Sequence, residues 1–320
     1  MHRLLLVVGP TAAGKTALAL RLAEAAGAEI VSADSQQVYV GMDIGTSKAS
    51  ADERARVPHH GLDVVRPDET MTAARWTLVA DAAIADAAAR GHGTVVCGGT
   101  GLYVRALLYG LFDGPPADAT LRARLEAEAD AAPAGTALLH TRLAAVDPAA
   151  AARIDRRDRV RLVRALEVFE LTGETISAHQ ERHDYKNAPL RYDARAVGLS
   201  PPRPELHARI VARVDEMISA GLEAEVRALL GAGYAPTLRA FGAIGYREMC
   251  AYVLGKMSLP EAIAGIKSAT KRYARRQLSW FRTEPTVSWY ESAAAVDVDG
   301  LAAWLRDDPE RQANREQTDR

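Results

Sequence analysis

The stretch that decides the fold is "GPTAAGKT", Gly9-Pro10-Thr11-Ala12-Ala13-Gly14-Lys15-Thr16. The apolar run "LLLVV" precedes it and "ALALRLAEAA" follows, which reads as strand, glycine loop and helix. The eight residues fit G-x-x-x-x-G-K-[ST], a pattern that cradles phosphates. Gly9 and Gly14 allow the tight turn, and successive backbone N–H groups at a helix N-terminus form an anion nest. In such a loop Lys15 supplies a point charge to terminal phosphates and the Thr16 hydroxyl can ligate magnesium. The pattern does not say which phosphate compound is held.

Outward from the loop, strand patterns at residues 4–8, 29–33 and 94–97 alternate with helical ones. That alternation predicts an α/β fold, a parallel sheet flanked by helices. Each strand runs into small or polar residues: the glycine loop, "DSQQVY" and "GGTGLY". Ligands of open α/β sheets bind at the carboxyl ends of strands, so the three loops are expected to converge on one cleft. Pro115-Pro116 then breaks the pattern, and helical periodicity without strand signals continues to about residue 185. "RAVGLS" restores a short β run, and "TVSWYE" is a candidate last strand. The expected organisation is a discontinuous catalytic core, residues 1–113 and 195–306, with a helical insertion domain at 114–194. A polar, disordered tail is expected at 307–320.

Composition narrows the function classes. The chain has 320 residues and a net charge of −1, so no global field draws it to nucleic acid or membrane. Five apolar residues before Gly9 are too few for a signal peptide or a membrane span, so a cytoplasmic protein without membrane contact is expected. Cys97 and Cys250 lack metal-ligand spacing and read as reduced structural cysteines. There is no hydrophobic run ending in Asp-Glu, no protein-kinase or dinucleotide fingerprint, and no zinc motif.

Several side chains are candidates for the chemistry. Asp34 follows a strand, where a carboxylate can orient magnesium, accept a proton or cap the next turn. Ser35, Gln36, Gln37 and Tyr39 carry donors and acceptors of the kind that read a base edge, and "GMDIGTSK" reads as a flexible substrate loop. Thr100 offers a hydroxyl at the mouth of the sheet, among glycines that let backbone approach a ligand. Arg157, Arg161 and Arg164 fall at helical spacing beside an apolar stripe, as do Arg209 and Arg213 on a later segment. Such arginines suit either a solvated face or a phosphate. Residues 266–282, "IKSATKRYARRQLSWFR", hold six Lys/Arg and no acid, with Tyr273, Trp280 and Phe281 interleaved. That mixture suits a phosphate backbone with unpaired bases, or a helix packed by its aromatics with a solvated basic side.

The order of "GPTAAGKTALA", "SADSQQVYVGMDIGTSK", "PHHGLDV", "GGTGLYVRALLYGL", "RALEVFELTG", "IGYREM" and "TKRYARRQLSWFR" resembles the bacterial tRNA dimethylallyltransferase family over residues 1 to about 290. The resemblance implies a P-loop core similar to nucleotide kinases, with a helical insertion. It also implies a reaction: the exocyclic amine of the adenosine at tRNA position 37 attacks dimethylallyl diphosphate, and pyrophosphate leaves. The tRNA anticodon stem-loop and dimethylallyl diphosphate are the implied partners, magnesium the cofactor, and a monomer the working form. Carried onto matching residues, Gly9, Pro10, Thr11, Ala12, Ala13, Gly14, Lys15 and Thr16 hold diphosphate, with Arg209 or Arg213 assisting and Thr16 on magnesium. Asp34 is the implied base, Thr100 a hydrogen-bond donor to pyrophosphate and Lys15 the charge on the leaving group. Asp34, Ser35, Gln36, Gln37, Thr100 and Arg122 fall at tRNA-facing positions. So do Val160, Arg161, Leu162, Val163 and Arg164, and Gly242, Ala243, Ile244, Gly245, Tyr246 and Arg247. The basic helix adds Arg275, Arg276, Gln277, Trp280 and Arg282. One departure is Gln37, where some members have Leu.

Three competing readings remain: an ATP-dependent, nucleotide-kinase-like phosphotransferase, a non-catalytic RNA-binding protein, and an enzyme that prenylates free AMP. The first leaves the aromatic-studded basic helix without a task. Intact Gly14, Lys15, Thr16 and Asp34 count against the second, and the basic helix and insertion against the third.

Overall fold

In the computed structural model, which describes residues 1–185 and 187–308, six parallel strands form one sheet. The strands are β1 (Arg3–Val8), β2 (Ala28–Ala33), β3 (His59–His60), β4 (Gly93–Gly98), β5 (Asp193–Leu199) and β6 (Val287–Tyr290), ordered β3-β2-β4-β1-β5-β6. β1, β2 and β4 are apolar and buried throughout most of their length, as strands covered on both faces must be. The register pairs Val8 with Gly98 and Ala33 with Gly98. β1, β2 and β4 therefore end at one level, and the loops that follow them start side by side.

Helices α1 (Lys15–Ala26), α2 (Ala51–Arg56), α3 (Ala73–Ala89) and α4 (Gly101–Tyr109) connect the first strands. Leu18, Leu22 and Ala23 of α1 pack on Leu5, Val7 and Val197 of the sheet. At the far edge, Glu29 is buried between Arg90, His60 and His92. Burial alone would raise its pKa, but the hydrogen bonds from those three side chains pull it down to about 2. Thus the His60 of "PHHGLDV" serves the sheet edge.

The chain divides into two compact units, Met1–Leu108 with Leu190–Arg320 and Tyr109–Pro189. The second unit's limits lie a few residues before those expected from the proline break. Among its described residues the regular elements are all helices: α5 (Ala119–Ala131), α6 (Thr136–Val146), α7 (Pro148–Arg153), α8 (Arg159–Thr172) and α9 (Ile176–Arg182). Leu125, Leu139, Leu143, Leu162, Leu166 and Val168 form its core.

The sheet unit resumes after β5 with α10 (Arg203–Ser219), α11 (Leu222–Gly231), α12 (Tyr246–Val253), α13 (Leu259–Phe281) and α14 (Val298–Arg306). The disorder expected from residue 307 is corrected at two positions. Asp308 is buried and accepts from the Arg3 amide at 3.0 Å, and Arg3 Nη1 donates to the Asp307 carbonyl at 3.0 Å. The rest of the expected tail, 309–320, lies outside the described residues. Among the described residues no helix is long and apolar enough to cross a membrane.

Candidate functional site

The glycine loop runs from β1 into α1. Gly9 has φ 133°, and a Cβ there would stand 2.5 Å from the Leu199 carbonyl oxygen, so only glycine fits. Ala12 takes φ 63°, a left-handed conformation that costs an alanine about 1 kcal/mol or more. No side chain caps the start of α1 and no acid occupies its first turn. Its amides and positive dipole end are left for an anion.

A cavity of about 650 Å3 opens over this loop. Lys15, Thr16, Asp34, Cys97, Arg209 and Arg213 are among its lining. Lys15 Nζ donates to the Pro10 carbonyl at 2.7 Å. Burial lowers its pKa from 10.5 to about 8, with Arg213 adding to the depression while Cys97 and Asp34 oppose it. An ammonium so placed gains from an arriving anion. Burial likewise pushes the Cys97 thiol up to about 11, so it stays protonated; both cysteines are free. Arg213 Nε donates to Ser47 Oγ at 2.8 Å. Arg209 donates to Glu205 at 2.5 Å and lies 3.4 Å from the Ala13 carbonyl oxygen.

A second cavity of about 280 Å3 adjoins the first and shares Thr11, Asp34, Thr46, Arg213 and Tyr273 with it. Its remaining lining is less charged, with Met217, Ile244 and Ile266 beside Ser35, Gln36 and Arg276. Asp34 stands where the two meet. Its Oδ1 accepts from the amides of Gln36 at 2.8 Å and Gln37 at 3.4 Å, so it caps a turn and faces the cavities at once. Thr100 Oγ accepts from the Ser35 amide at 2.9 Å, tying the loop after β4 to the loop after β2.

The loop "GMDIGTSK", read from sequence as flexible, is tied down by side chains from across the fold. Glu225 of α11 accepts from the amides of Asp43, Ile44 and Gly45 at 2.9, 2.8 and 3.3 Å. Lys48 Nζ is buried and donates to Asp43, Asp63 and the Tyr39 carbonyl at 2.6, 2.6 and 2.7 Å. Gln37 joins the same network, donating to the carbonyls of Thr46 and Ser47 at 3.2 Å. Thr46 and Ser47 lie in the stretch marked from sequence as a substrate loop, whereas sequence reasoning missed Met217 and Glu225. No local signal marks them, because each acts across the fold.

Other candidates divide by burial. Tyr246 has no exposed surface and its hydroxyl meets Glu225 at 2.5 Å, so it supports the loop and offers no RNA face. Gly242, Ala243 and Ile244 line the second cavity, while Arg247 is exposed beside Glu248. Gln277 is 5% exposed and spans the Thr11 amide and the Gly99 carbonyl, which removes it from an RNA surface. Trp280 has the Arg105 guanidinium 4.3 Å from its ring centre. Arg275, Arg276 and Arg282 are exposed and pair with no carboxylate among the described residues.

In the helical unit, Leu162 and Val163 are core residues, so their side chains cannot meet RNA as the resemblance implied. Val160 and Arg161 of the same turn are exposed. Arg122 and Arg164 both end on Glu167 at 2.8 and 2.6 Å. Arg157 precedes α8 and pairs with Asp155, so the expected three-arginine helical face does not form. Asp158 caps α8 by accepting from the Arg161 amide.

Comparison with known proteins places this geometry in a family. The IPP transferase profile matches residues 37–284, and the isopentenyl transferase profile matches residues 2–59. A tRNA dimethylallyltransferase of Geobacter sulfurreducens is 51% identical over 92% of this chain and 94% of its own. One from Anaeromyxobacter dehalogenans is 54% identical over 94% and 98%. The crystal structure of a tRNA isopentenylpyrophosphate transferase from Bacillus halodurans superposes with a TM-score of 0.69 at 35% identity, covering 100% of both chains. A glycine loop, an interfacial carboxylate and two joined cavities thus sit on a chain that belongs to the IPP transferase family.

Proposed function

We propose that this chain transfers the dimethylallyl group of dimethylallyl diphosphate to the exocyclic amine of the tRNA adenosine just 3′ of the anticodon. The observation that carries the reading is Asp34 at the junction of an anion-lined cavity and a less polar one. The diphosphate lies over residues 9–16 with Lys15 and Arg213 against its charge. The adenine and the isoprenoid tail meet at the second cavity. A base stacked in RNA cannot present its amine inside a protein, so the nucleotide is flipped out to reach it.

The amine nitrogen attacks the allylic carbon as the carbon–oxygen bond to diphosphate breaks. Asp34 takes the proton released from the nitrogen; its two amide hydrogen bonds hold the carboxylate in one orientation. Lys15, Arg213 and the α1 amides receive the charge that builds on the departing pyrophosphate, where preorganised donors act most strongly. Magnesium fits this donor set in a limited way. Among the described residues there is no cluster of three His, Cys, Asp or Glu side chains able to hold a metal. Thr16 supplies one hydroxyl, so the ion would take its other oxygens from diphosphate and water, as Mg2+ commonly does. When bound, it neutralises phosphate charge.

The test incubates the protein with magnesium, labelled dimethylallyl diphosphate and unmodified tRNA, without ATP. Label in the tRNA supports the reading, whereas a strict ATP requirement favours a phosphotransferase. Asp34→Ala should reduce transfer by about 10^2 to 10^4-fold while tRNA binding persists; near-normal turnover would remove Asp34 from the base role.

A further inference from the structure

Tyr273, Gln277 and Trp280 stand at i, i+4 and i+7 on α13, on one face of the helix. That face meets the two loops that build the site. Tyr273 lines both cavities. Gln277 Oε1 accepts from the Thr11 amide at 2.8 Å, and its Nε2 donates to the Gly99 carbonyl at 3.0 Å. The packing leaves no slack. A Cβ on Gly99 would fall 2.0 Å from Gln277 Nε2, and one on Gly101 would fall 2.1 Å from the Trp280 indole. Arg272 and Arg275 are exposed away from this face, while Arg276, also exposed, flanks it beside Tyr273 at the second cavity.

A carboxamide is suited to this position because it offers one acceptor and one donor at a fixed spacing. It satisfies a glycine-loop amide and a carbonyl of the loop after β4 together, at the wall of the first cavity. Without it the Gly99 carbonyl would be buried and unpaired, and the two loops would lose a shared strut. Arg272 and Arg275 face solvent, so Gln277 differs from them in what it touches.

We propose that Gln277 is a positioning residue that fixes the glycine loop from the basic helix and makes no contact with RNA. The proposal rests on the diphosphate reading of that loop. Gln277 acts through Thr11 and Gly99, so its removal is felt by the diphosphate and the reaction rate, not by tRNA affinity.

Gln277→Leu and Gln277→Met fill similar volume without the two hydrogen bonds; whichever variant melts cooperatively near the parent temperature is assayed. Steady-state kinetics, tRNA dissociation constants and calorimetric binding of inorganic pyrophosphate are measured on both parent and variant. The expected result is about a tenfold rise in KM for dimethylallyl diphosphate, a tenfold fall in kcat and weaker pyrophosphate binding. The tRNA dissociation constant should stay within twofold of the parent's. A weakened tRNA complex with unchanged diphosphate KM overturns the proposal, because Gln277 would then read RNA. Unchanged kinetics and pyrophosphate binding overturn it as well, leaving a packing role alone. A parent protein that transfers no label but binds pyrophosphate through Gln277 sinks the prenyl-transfer reading and leaves the positioning role standing.

Discussion

The arginines around the sheet unit's cavities are engaged differently from those that knit the helical unit, although elsewhere in the sheet unit Arg90 and Arg105 also hold buried carboxylates. In the helical unit, Arg122 and Arg164 converge on Glu167, a carboxylate with no exposed surface, and Arg124 and Arg142 share Glu128 and Glu170. In the sheet unit, Arg213 meets the Ser47 hydroxyl and forms no ion pair among the described residues, and neither do Arg275 and Arg276. Arg209, bonded to Glu205, is the intermediate case. A guanidinium that already holds a buried carboxylate contributes to the fold, and drawing it away would strand that charge. One left without a carboxylate beside an anion nest is available to a phosphate. Residue type alone does not separate these two uses; the partner does.

The comparison breaks most visibly at Arg213. Arg213→Ala should lower kcat/KM by about 10^2-fold or more with the melting temperature nearly unchanged, since it removes a charge that meets developing pyrophosphate. If melting shifts and catalysis does not, Arg213 belongs with the structural arginines. Glu167→Gln makes the converse test. It leaves two arginines without their carboxylate and should cost about 2 kcal/mol in chemical denaturation, below the value for a fully buried pair because Arg122 is partly exposed. Turnover per folded molecule should hardly change.

A smaller effect concerns Lys15. Its free-state pKa of about 8 means the ammonium loses its proton as pH rises through 8, and a bound diphosphate pulls that pKa back up. Affinity for pyrophosphate should therefore fall about tenfold between pH 7 and pH 9. Binding near pH 8 should take up a proton, visible as buffer-dependent calorimetric heat; heat independent of buffer would contradict this placement of Lys15. Smallest is the pair Arg275→Ala with Arg276→Ala. Removing two phosphate contacts should weaken tRNA binding several-fold and flatten the logarithmic salt slope by about 1.4 to 1.8. An unchanged slope would mean this face meets no RNA phosphate.

Much of this architecture is readable in the sequence because its causes are local. The glycine loop, β2 with Asp34 after it, and β4 with Thr100 after it each combine an apolar run with residues that end it, within about ten positions. The proline break likewise marks the helical unit. What stays hidden depends on contacts between distant positions. Gln277 meets Thr11 across 266 residues, and Glu225 meets residues 43–45 across about 180. Periodicity gives no sign of either, so a pinned loop reads as flexible and a buried strut as an RNA contact. Leu162 and Val163 are a different failure. Their apolar character was plain, but a stretch matched to RNA contacts mixes outward residues with the core residues that hold them. The three-arginine face failed for a reason visible in sequence: Asp158 is a good N-cap, so the helix starts after Arg157.

The central claim is that an ATP-type cradle here holds an isoprenoid diphosphate and spends no nucleoside triphosphate. Pyrophosphate release and label transfer, measured together on one tRNA with dimethylallyl diphosphate and magnesium, test it most directly. The account predicts one pyrophosphate per labelled tRNA, undiminished when ATP is omitted. Pyrophosphate or phosphate released only with ATP, and no label in the tRNA, would contradict it.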